Sequence, residues 1–532
     1  MKSKSSFTCK TALAMALWCS VGPLALGVAT VAQAQQSPQQ ASPQVVVSGF
    51  TFQGNHTYDS ATLLGLIASE VGKPMTLEQI RETAARIADY YHRNGYPLVK
   101  VVVPQQTFGN DRPVKLAVFE GLLGDIDVRG NQRYSSNRVR AALDAAGTKA
   151  SEPIKLHEVE RALTKLNRQS GITTSATLRP GSDQGHTNLL VDVKEAPRVT
   201  GSIEVNNYGS KDTGEYRLLP RLKLQNLSGR GDELNLIGMQ SLGDGDAWFG
   251  YTNYTTPLNA YGTSVEFYGS TGNVSVGRDF KVLEIEGDST SLGMGLHQDQ
   301  VLSARNVLTY SAWLESTDLK QSMLDTIVVH DKVRKVRFGV ALDHSDLSGR
   351  TLASMDLHQG LGKMLGGMEN DSVESSRSYA GADNQFTKVT FDLMRIQRVT
   401  PRLLAIPRLY GQYALDPLVS SEQFAVGGVN SVKGHAPSVY SGDNGFTASL
   451  EGRYDLFAAD QRYQLIGSVS HGRTYIKKAF LDQDDEQDIS GVSLGVFANP
   501  IKPVQLRLDW GVPLGAKTED SSYVYAQVQY NF

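Results

Sequence analysis

The sequence predicts a transmembrane β-barrel of about sixteen antiparallel strands behind two small α+β domains, and three observations predict it. From Pro197 onward, short segments alternate apolar and polar residues between clusters of Gly, Asn and Asp. Between Val45 and Pro197 one order of strands and helices occurs twice, at a spacing of 76 residues. Apolar residues make up 40% of the chain, and beyond the N-terminal segment no run approaches the roughly eighteen apolar residues of a membrane helix. A chain of this composition crosses a membrane only as strands.

Residues 1–34 read as a secretory signal peptide: Lys2, Lys4 and Lys10 precede an apolar run from Thr11 to Val31 that ends in Ala32-Gln33-Ala34. A lipoprotein signal at Cys19 is disfavoured, because bulky Trp18 stands where a small residue is required. Both cysteines, Cys9 and Cys19, fall in this segment, so the mature chain has neither disulfide nor thiolate metal site. Residues 35–44, with Pro38 and Pro43, lack apolar periodicity and form a solvated linker. The formal charge is −3 from 52 basic and 55 acidic residues; without the three signal lysines the balance is 49 against 55, or −6. No basic block points to a nucleic acid partner.

The first α+β domain is expected over residues 45–121. Val45 to Phe52 reads as a strand closed by Gly54-Asn55, and two helices follow. The second is marked by a capping box of Thr76 and Gln79, an apolar stripe of Ile80, Ala84, Ile87 and Tyr91, and a stop at Gly95. Val99–Val103 and Val114–Phe119 supply two more strands. The second domain, residues 122–197, repeats the order: Ile126–Asn131 matches Phe50–Asn55, and Glu195-Ala196 matches Glu120-Gly121. Its helices are expected at Ser135–Ala146 and Leu156–Gln169, with a strand near Leu189–Val193. Gly54, Gly95 and Gly130 are turn glycines needing positive φ.

The barrel is expected over residues 198–532. Leu218, Pro220, Leu222 and Leu224 share one face of a strand, as do Leu409, Gly411, Tyr413 and Leu415 of another. In the last strand Val524, Ala526, Val528, Tyr530 and Phe532 face one way, and Tyr525, Gln527, Gln529 and Asn531 the other. A soluble sandwich alternates too, but some 335 cysteine-free residues behind an export signal are too many for one. At about twenty residues per strand and connection, this length gives about sixteen strands, whose closure removes every sheet edge. By the same alternation Leu506, Leu508 and Trp510 face lipid and Asp509 faces the lumen, which offers a buried partner to Lys433 in the Gly-rich stretch Gly427–His435.

Gly54-Asn55, Tyr90–Pro97 and Glu120-Gly121 resemble polypeptide-transport-associated (POTRA) domains of two-partner secretion transporters. Asn206–Ser210 with Thr213-Gly214, Tyr254–Leu258, Ser421–His435 with Gly445-Phe446, and Leu508–Gly511 resemble landmarks of the barrel of that family, the TpsB or ShlB/FhaC/HecB-like haemolysin secretion/activation proteins. The resemblance implies a bacterial outer-membrane protein with its POTRA domains in the periplasm. It implies export of one large TpsA-type exoprotein, adhesin- or haemolysin-like, unfolded and without ATP. Outer-membrane lipid and, during biogenesis, the barrel-assembly machinery are the further partners implied, with Phe532 as the terminal assembly signal. A barrel-assembly factor of the same superfamily is the alternative, and a porin is a third class that would not need the tandem domains.

The resemblance also implies that the sixth extracellular loop, around residues 422–446, folds into the pore. Its motif, commonly Val-Arg-Gly-aromatic, reads Val432-Lys433-Gly434-His435 here. Lysine keeps the charge but loses the planar fork that grips a carboxylate, so a looser contact to Asp509 is expected, with Glu451 and Arg507 as competing lumenal neighbours. Tyr90, Tyr91, Tyr96 and Val101 are the candidates at a client-binding surface, where an extended segment adds to a sheet edge or lies beside a helix. The short linker leaves no room for the pore-plugging N-terminal helix common in the family, so frequent open events are expected in planar bilayers. No catalytic residue, cofactor or metal site is expected: the ten histidines are scattered, no Gly-x-Ser-x-Gly elbow or Walker loop occurs, and the acidic run Asp482–Asp488 lacks the Gly and final Glu of a calcium loop. That run reads as a solvated loop.

Overall fold

The computed structural model describes residues 43–532 apart from 110–111, 184, 244, 459, 482 and 516–521. The signal peptide, both cysteines, the linker up to residue 42 and the question of a plugging helix lie outside the described residues.

The first unit comprises β1 (Gln44–Val46), β2 (Phe50–Gln53), α1 (Ser60–Ile67), β3 (Pro74–Thr76), α2 (Leu77–Arg93), β4 (Lys100–Val102) and β5 (Val114–Phe119). The single strand expected over Val45–Phe52 is two. Val47–Gly49 breaks it, because β1 pairs antiparallel with β3 while β2 pairs in parallel with β5 in the sheet β2-β5-β4. Helix α2 carries the full capping box, and Ile80, Ala84, Ile87 and Tyr91 are buried in the core with Leu63, Leu116 and Val118.

The second unit comprises β6 (Leu122–Arg129), α3 (Ser136–Ala146), α4 (Leu156–Asn167), β7 (Ile172–Pro180) and β8 (His186–Glu195), with sheet order β6-β8-β7. Strand β7, not expected from the sequence, turns Ile172, Ala176 and Leu178 to the core and most of its polar residues outward, and it pairs with β8 along its whole length.

The sequence repeat is a repeated hydrogen-bond motif. Asn55 Nδ2 donates to the Tyr58 carbonyl and the Ser60 hydroxyl, and Asn131 Nδ2 to the Tyr134 carbonyl and the Ser136 hydroxyl. Glu120 Oε1 accepts from the N–H groups of His56 and Thr57, and Glu195 Oε1 from those of Gln132, Arg133 and Tyr134. Gly54 (φ +86°) and Gly130 (φ +79°) bring the chain against the carbonyls of Val118 and Val193, where a Cβ would collide. Each copy thus clamps its strand-to-helix turn with one carboxylate.

The barrel strands are β9 (Val199–Asn206), β10 (Tyr216–Gln225), β11 (Glu233–Leu242), β12 (Asp246–Pro257), β13 (Thr263–Ser275), β14 (Glu286–Ser303), β15 (Asn306–Met323), β16 (Thr326–Ser345), β17 (Gly349–Gly360), β18 (Thr387–Thr400) and β19 (Leu403–Ala414). After a two-stranded insertion, β20 (Phe424–Val426) with β21 (Tyr440–Gly442), follow β22 (Asn444–Phe457), β23 (Asp460–Tyr475), β24 (Glu486–Ile501), β25 (Val504–Leu514) and β26 (Tyr523–Asn531). Strands β9–β19 and β22–β26 close into a sixteen-stranded antiparallel barrel, β26 pairing with β9. The expected alternation is realised: Leu506, Leu508, Trp510, Val524, Val528, Tyr530 and Phe532 are exposed on the outer wall, while Asp509 and Tyr525 are buried inside. No helix among the described residues is long and apolar enough to cross a membrane.

Strand β9 begins four residues after β8, so the barrel starts at its periplasmic rim. Turns on that rim are short (304–305, 401–402, 502–503), whereas the opposite rim carries long connections, among them loop 5 (361–386), loop 6 (415–443) and loop 7 (476–485). The second α+β unit is tied to the near rim by Arg168, whose Nε lies 2.6 Å from Asp299 on β14.

Candidate functional site

Loop 6 turns inward instead of standing off the barrel. Its arms pair as β20 and β21, and Phe424, Val426 and Val432 form a small apolar cluster with Ile489 of β24. The tip, Val432–His435, is buried against strands β23 to β25. Three glycines make that seat. A Cβ on Gly472 would press on Val432, one on Gly491 would overlap the Lys433 carbonyl, and one on Gly511 would stand 2.7 Å from the Gly434 nitrogen. Gly434 itself has φ +94° and touches the backbone of Val512 and Pro513, so no other residue fits there.

Lys433 Nζ lies 3.0 Å from Asp509 Oδ1 and 3.7 Å from Glu451 Oε2; Lys433 is 6% exposed and Asp509 fully buried. Arg507 shares this contact, its Nη2 lying 3.4 Å from the same Oδ1. It takes the other oxygen of Asp509 (Nε to Oδ2, 2.6 Å) and bridges to Glu451 (Nη2 to Oε2, 3.0 Å), whose remaining oxygen accepts from Arg453 Nε at 2.7 Å. Three cations and two carboxylates share one network. His435 Nε2–H donates to the Ser490 carbonyl at 2.8 Å. The Tyr525 hydroxyl accepts from the Gly434 N–H at 3.1 Å and donates to the His435 carbonyl at 3.2 Å.

The structure therefore brings together Val432, Lys433, Gly434, His435, Glu451, Arg507 and Asp509. Sequence reasoning missed Tyr525, Ser490 and the seat glycines 472, 491 and 511; three inward-facing glycines on adjacent strands were the available signal, but their register appears only in the paired strands. Phe532 lies at the β26–β9 seam, its ring over Gly201 and its backbone exchanging hydrogen bonds with that residue at 2.9 Å. Between the stretch of loop 6 before its tip, residues 427–431, and the wall a polar cavity of about 760 Å³ remains, lined by Glu204, Arg217, Arg221 and Arg408 as well as Tyr208 and Gln527.

The client-surface candidates divide. Tyr91 is a correction: it is fully buried, and its hydroxyl donates to Glu120 at 3.0 Å, because its place on the apolar stripe of α2 turns it into the domain core. Burial, and then the Glu120 carboxylate, push its phenol well above the usual range. Tyr96 is half-buried at the joint between the two α+β units, its ring 5.7 Å from the Lys155 ammonium. Tyr90 and Val101 are half-buried where α2 meets the edge strand β4.

Fold and site together define an outer-membrane β-barrel transporter with periplasmic POTRA-type domains. The model of the haemolysin secretion/activation protein family ShlB/FhaC/HecB matches residues 185–498, and the ShlB-type POTRA domain matches residues 45–121. The chain belongs to the ShlB/FhaC/HecB family, the TpsB transporters of secreted exoproteins. It is 26% identical over 446 residues to the heme/hemopexin transporter protein HuxB of Haemophilus influenzae, covering 81% of this chain and 76% of that one. It is 23% identical over 475 residues to the hemolysin transporter protein ShlB of Serratia marcescens, covering 85% and 80%. Among solved structures, CdiB from Escherichia coli superposes with a TM-score of 0.76 at 20% identity, over 94% of this chain and 92% of that one. BamA from Haemophilus ducreyi lacking POTRA domains 1–3 shares the fold at a TM-score of 0.54 and 13% identity, over 92% and 100%.

Proposed function

We propose that this transporter captures one large, adhesin- or haemolysin-like exoprotein with its periplasmic domains, residues 45–121 and 122–197, and passes it unfolded through the barrel without ATP. The observation that carries the reading is loop 6, which enters the lumen yet is held at its tip by hydrogen-bonded charges and not by an extended apolar core. Water and a client's polar backbone can replace such contacts one at a time, whereas a fused core would resist displacement. The client would first add to the free edge of β4 beside α2, near Tyr90 and Val101, through main-chain hydrogen bonds that tolerate many sequences. The cavity beside the loop, lined by amides, hydroxyls and the charged side chains of Glu204, Arg217, Arg221 and Arg408, offers an extended chain's backbone hydrogen-bond partners. The sequence carries no phosphate-binding Walker loop, and folding of the client outside the cell supplies the free energy.

Deletion of the gene tests the reading. Loss of a single surface or secreted protein, with all other outer-membrane barrels at normal levels, is expected; a general loss of barrels would instead support an assembly factor. Pull-down of the client by this transporter should weaken when β4 is blocked by Val101→Pro, which removes a ladder donor.

A further inference from the structure

Loop 6 has a second set of buried charges, far from its tip in sequence. Asp443, where the loop returns to the wall, is fully buried, and its Oδ1 lies 2.5 Å from Nη1 of Arg377 in loop 5, itself only 4% exposed. The same oxygen accepts from the Leu418 N–H at the beginning of loop 6 (2.7 Å), and Oδ2 accepts from the Lys477 N–H of loop 7 (2.6 Å). Arg377 in turn donates to the carbonyls of Leu418 (2.7 Å) and Lys477 (2.9 Å). One carboxylate and one guanidinium thus clasp both ends of loop 6 to the two loops beside it. Four residues past Leu418, buried Glu422 is held by two wall lysines, Lys335 of β16 at 2.6 Å and Lys388 of β18 at 2.8 Å. Glu422 stands two residues before the arm β20, so this grip fastens the base of that arm to the wall independently of the tip.

We infer that loop 6 is closed by two separate ionic locks, and that Arg377 of loop 5 and Glu422 are the gate residues of the second. The inference rests on loop 6 being the gate. Its consequence is that loss of Lys433 lowers the cost of opening without removing it, because full opening also requires loop 5 to let go of Asp443 and the wall lysines to let go of Glu422. In the closed state removal of Arg377 strands the Asp443 charge in a dry site, and opening relieves it by hydration.

The test uses the full-length protein in planar bilayers, with migration on unheated gels as the check that each barrel is folded. Arg377→Ala is expected to raise the open fraction about tenfold, and its effect to multiply with that of Lys433→Ala, as for two locks on one moving part. Glu422→Gln, which removes a charge at constant volume, is expected to act in the same direction and carries the test if Arg377→Ala does not fold. Wild-type closure in both Arg377→Ala and Glu422→Gln, with Lys433→Ala open, overturns the second lock and leaves the gate reading intact. Closure in Lys433→Ala as well overturns the gate reading and the second lock with it.

Discussion

Replacement of Lys433 by Ala probes the tip lock most directly. The ammonium is nearly buried and makes one short contact, 3.0 Å to Asp509, and one longer approach, 3.7 Å to Glu451. Removing one partner of an isolated buried pair costs about 3–5 kcal/mol, mostly because the other charge is stranded. Here Asp509 is not stranded, since Arg507 Nε still holds its second oxygen at 2.6 Å. The cost falls to about 2 kcal/mol, which corresponds to a shift of roughly thirtyfold toward the open loop. The loss falls on loop closure and not on the barrel, whose strand pairing does not involve Lys433. The variant should therefore insert and remain resistant to unfolding on unheated gels, show long open events in single-channel recordings, and export its client poorly. Lys433→Arg should be tolerated, because a guanidinium reaches both Asp509 and Glu451. Normal closure and normal export by Lys433→Ala would refute the role assigned to that residue.

Three other outcomes follow from the geometry. Gly511→Ala places a methyl 2.7 Å from the Gly434 nitrogen and should unseat the tip with every charge intact, which channel recordings would register as opening comparable to that of Lys433→Ala. Glu120→Ala removes the acceptor for two N–H groups and the Tyr91 hydroxyl, and should destabilise the first periplasmic unit by about 2–3 kcal/mol, read as faster amide exchange in α2. Burial would raise the Glu195 carboxyl, but the N–H groups of Tyr134, Arg133 and Gln132 and the Arg133 guanidinium outweigh it and bring the group down to about 2. Its folded value lies below its unfolded one, so its contribution is complete above about pH 4.3 and is lost as pH falls toward 2. Protection of the amides of residues 132–134, relative to their intrinsic exchange rates, should fall across that window in the wild type, and in Glu195→Gln it should be low already at neutral pH.

The sequence by itself determined what depends on local periodicity and on internal comparison. Alternation with a period of two assigned the lipid-facing and lumenal sides, and so placed Asp509 inside, because strand geometry leaves a side chain only two directions. The 76-residue repeat marked Gly54, Asn55 and Glu120 with their counterparts Gly130, Asn131 and Glu195, which proved to be one hydrogen-bonded clamp built twice. What the sequence left open depends on which strand stands beside which. The apolar stripe of α2 separates Tyr91 from Tyr90 by about 100° of rotation, but only the fold gives the Tyr91 hydroxyl its acceptor, Glu120. The seat of glycines 472, 491 and 511 exists only because the pairing of β23 with β24 and of β24 with β25 brings them into register. Arg377 and Asp443 lie 66 residues apart with no shared pattern, and their contact is decided by three loops converging over one barrel mouth. Tertiary structure settled that part because a buried charge is stable only where the whole fold delivers its partners.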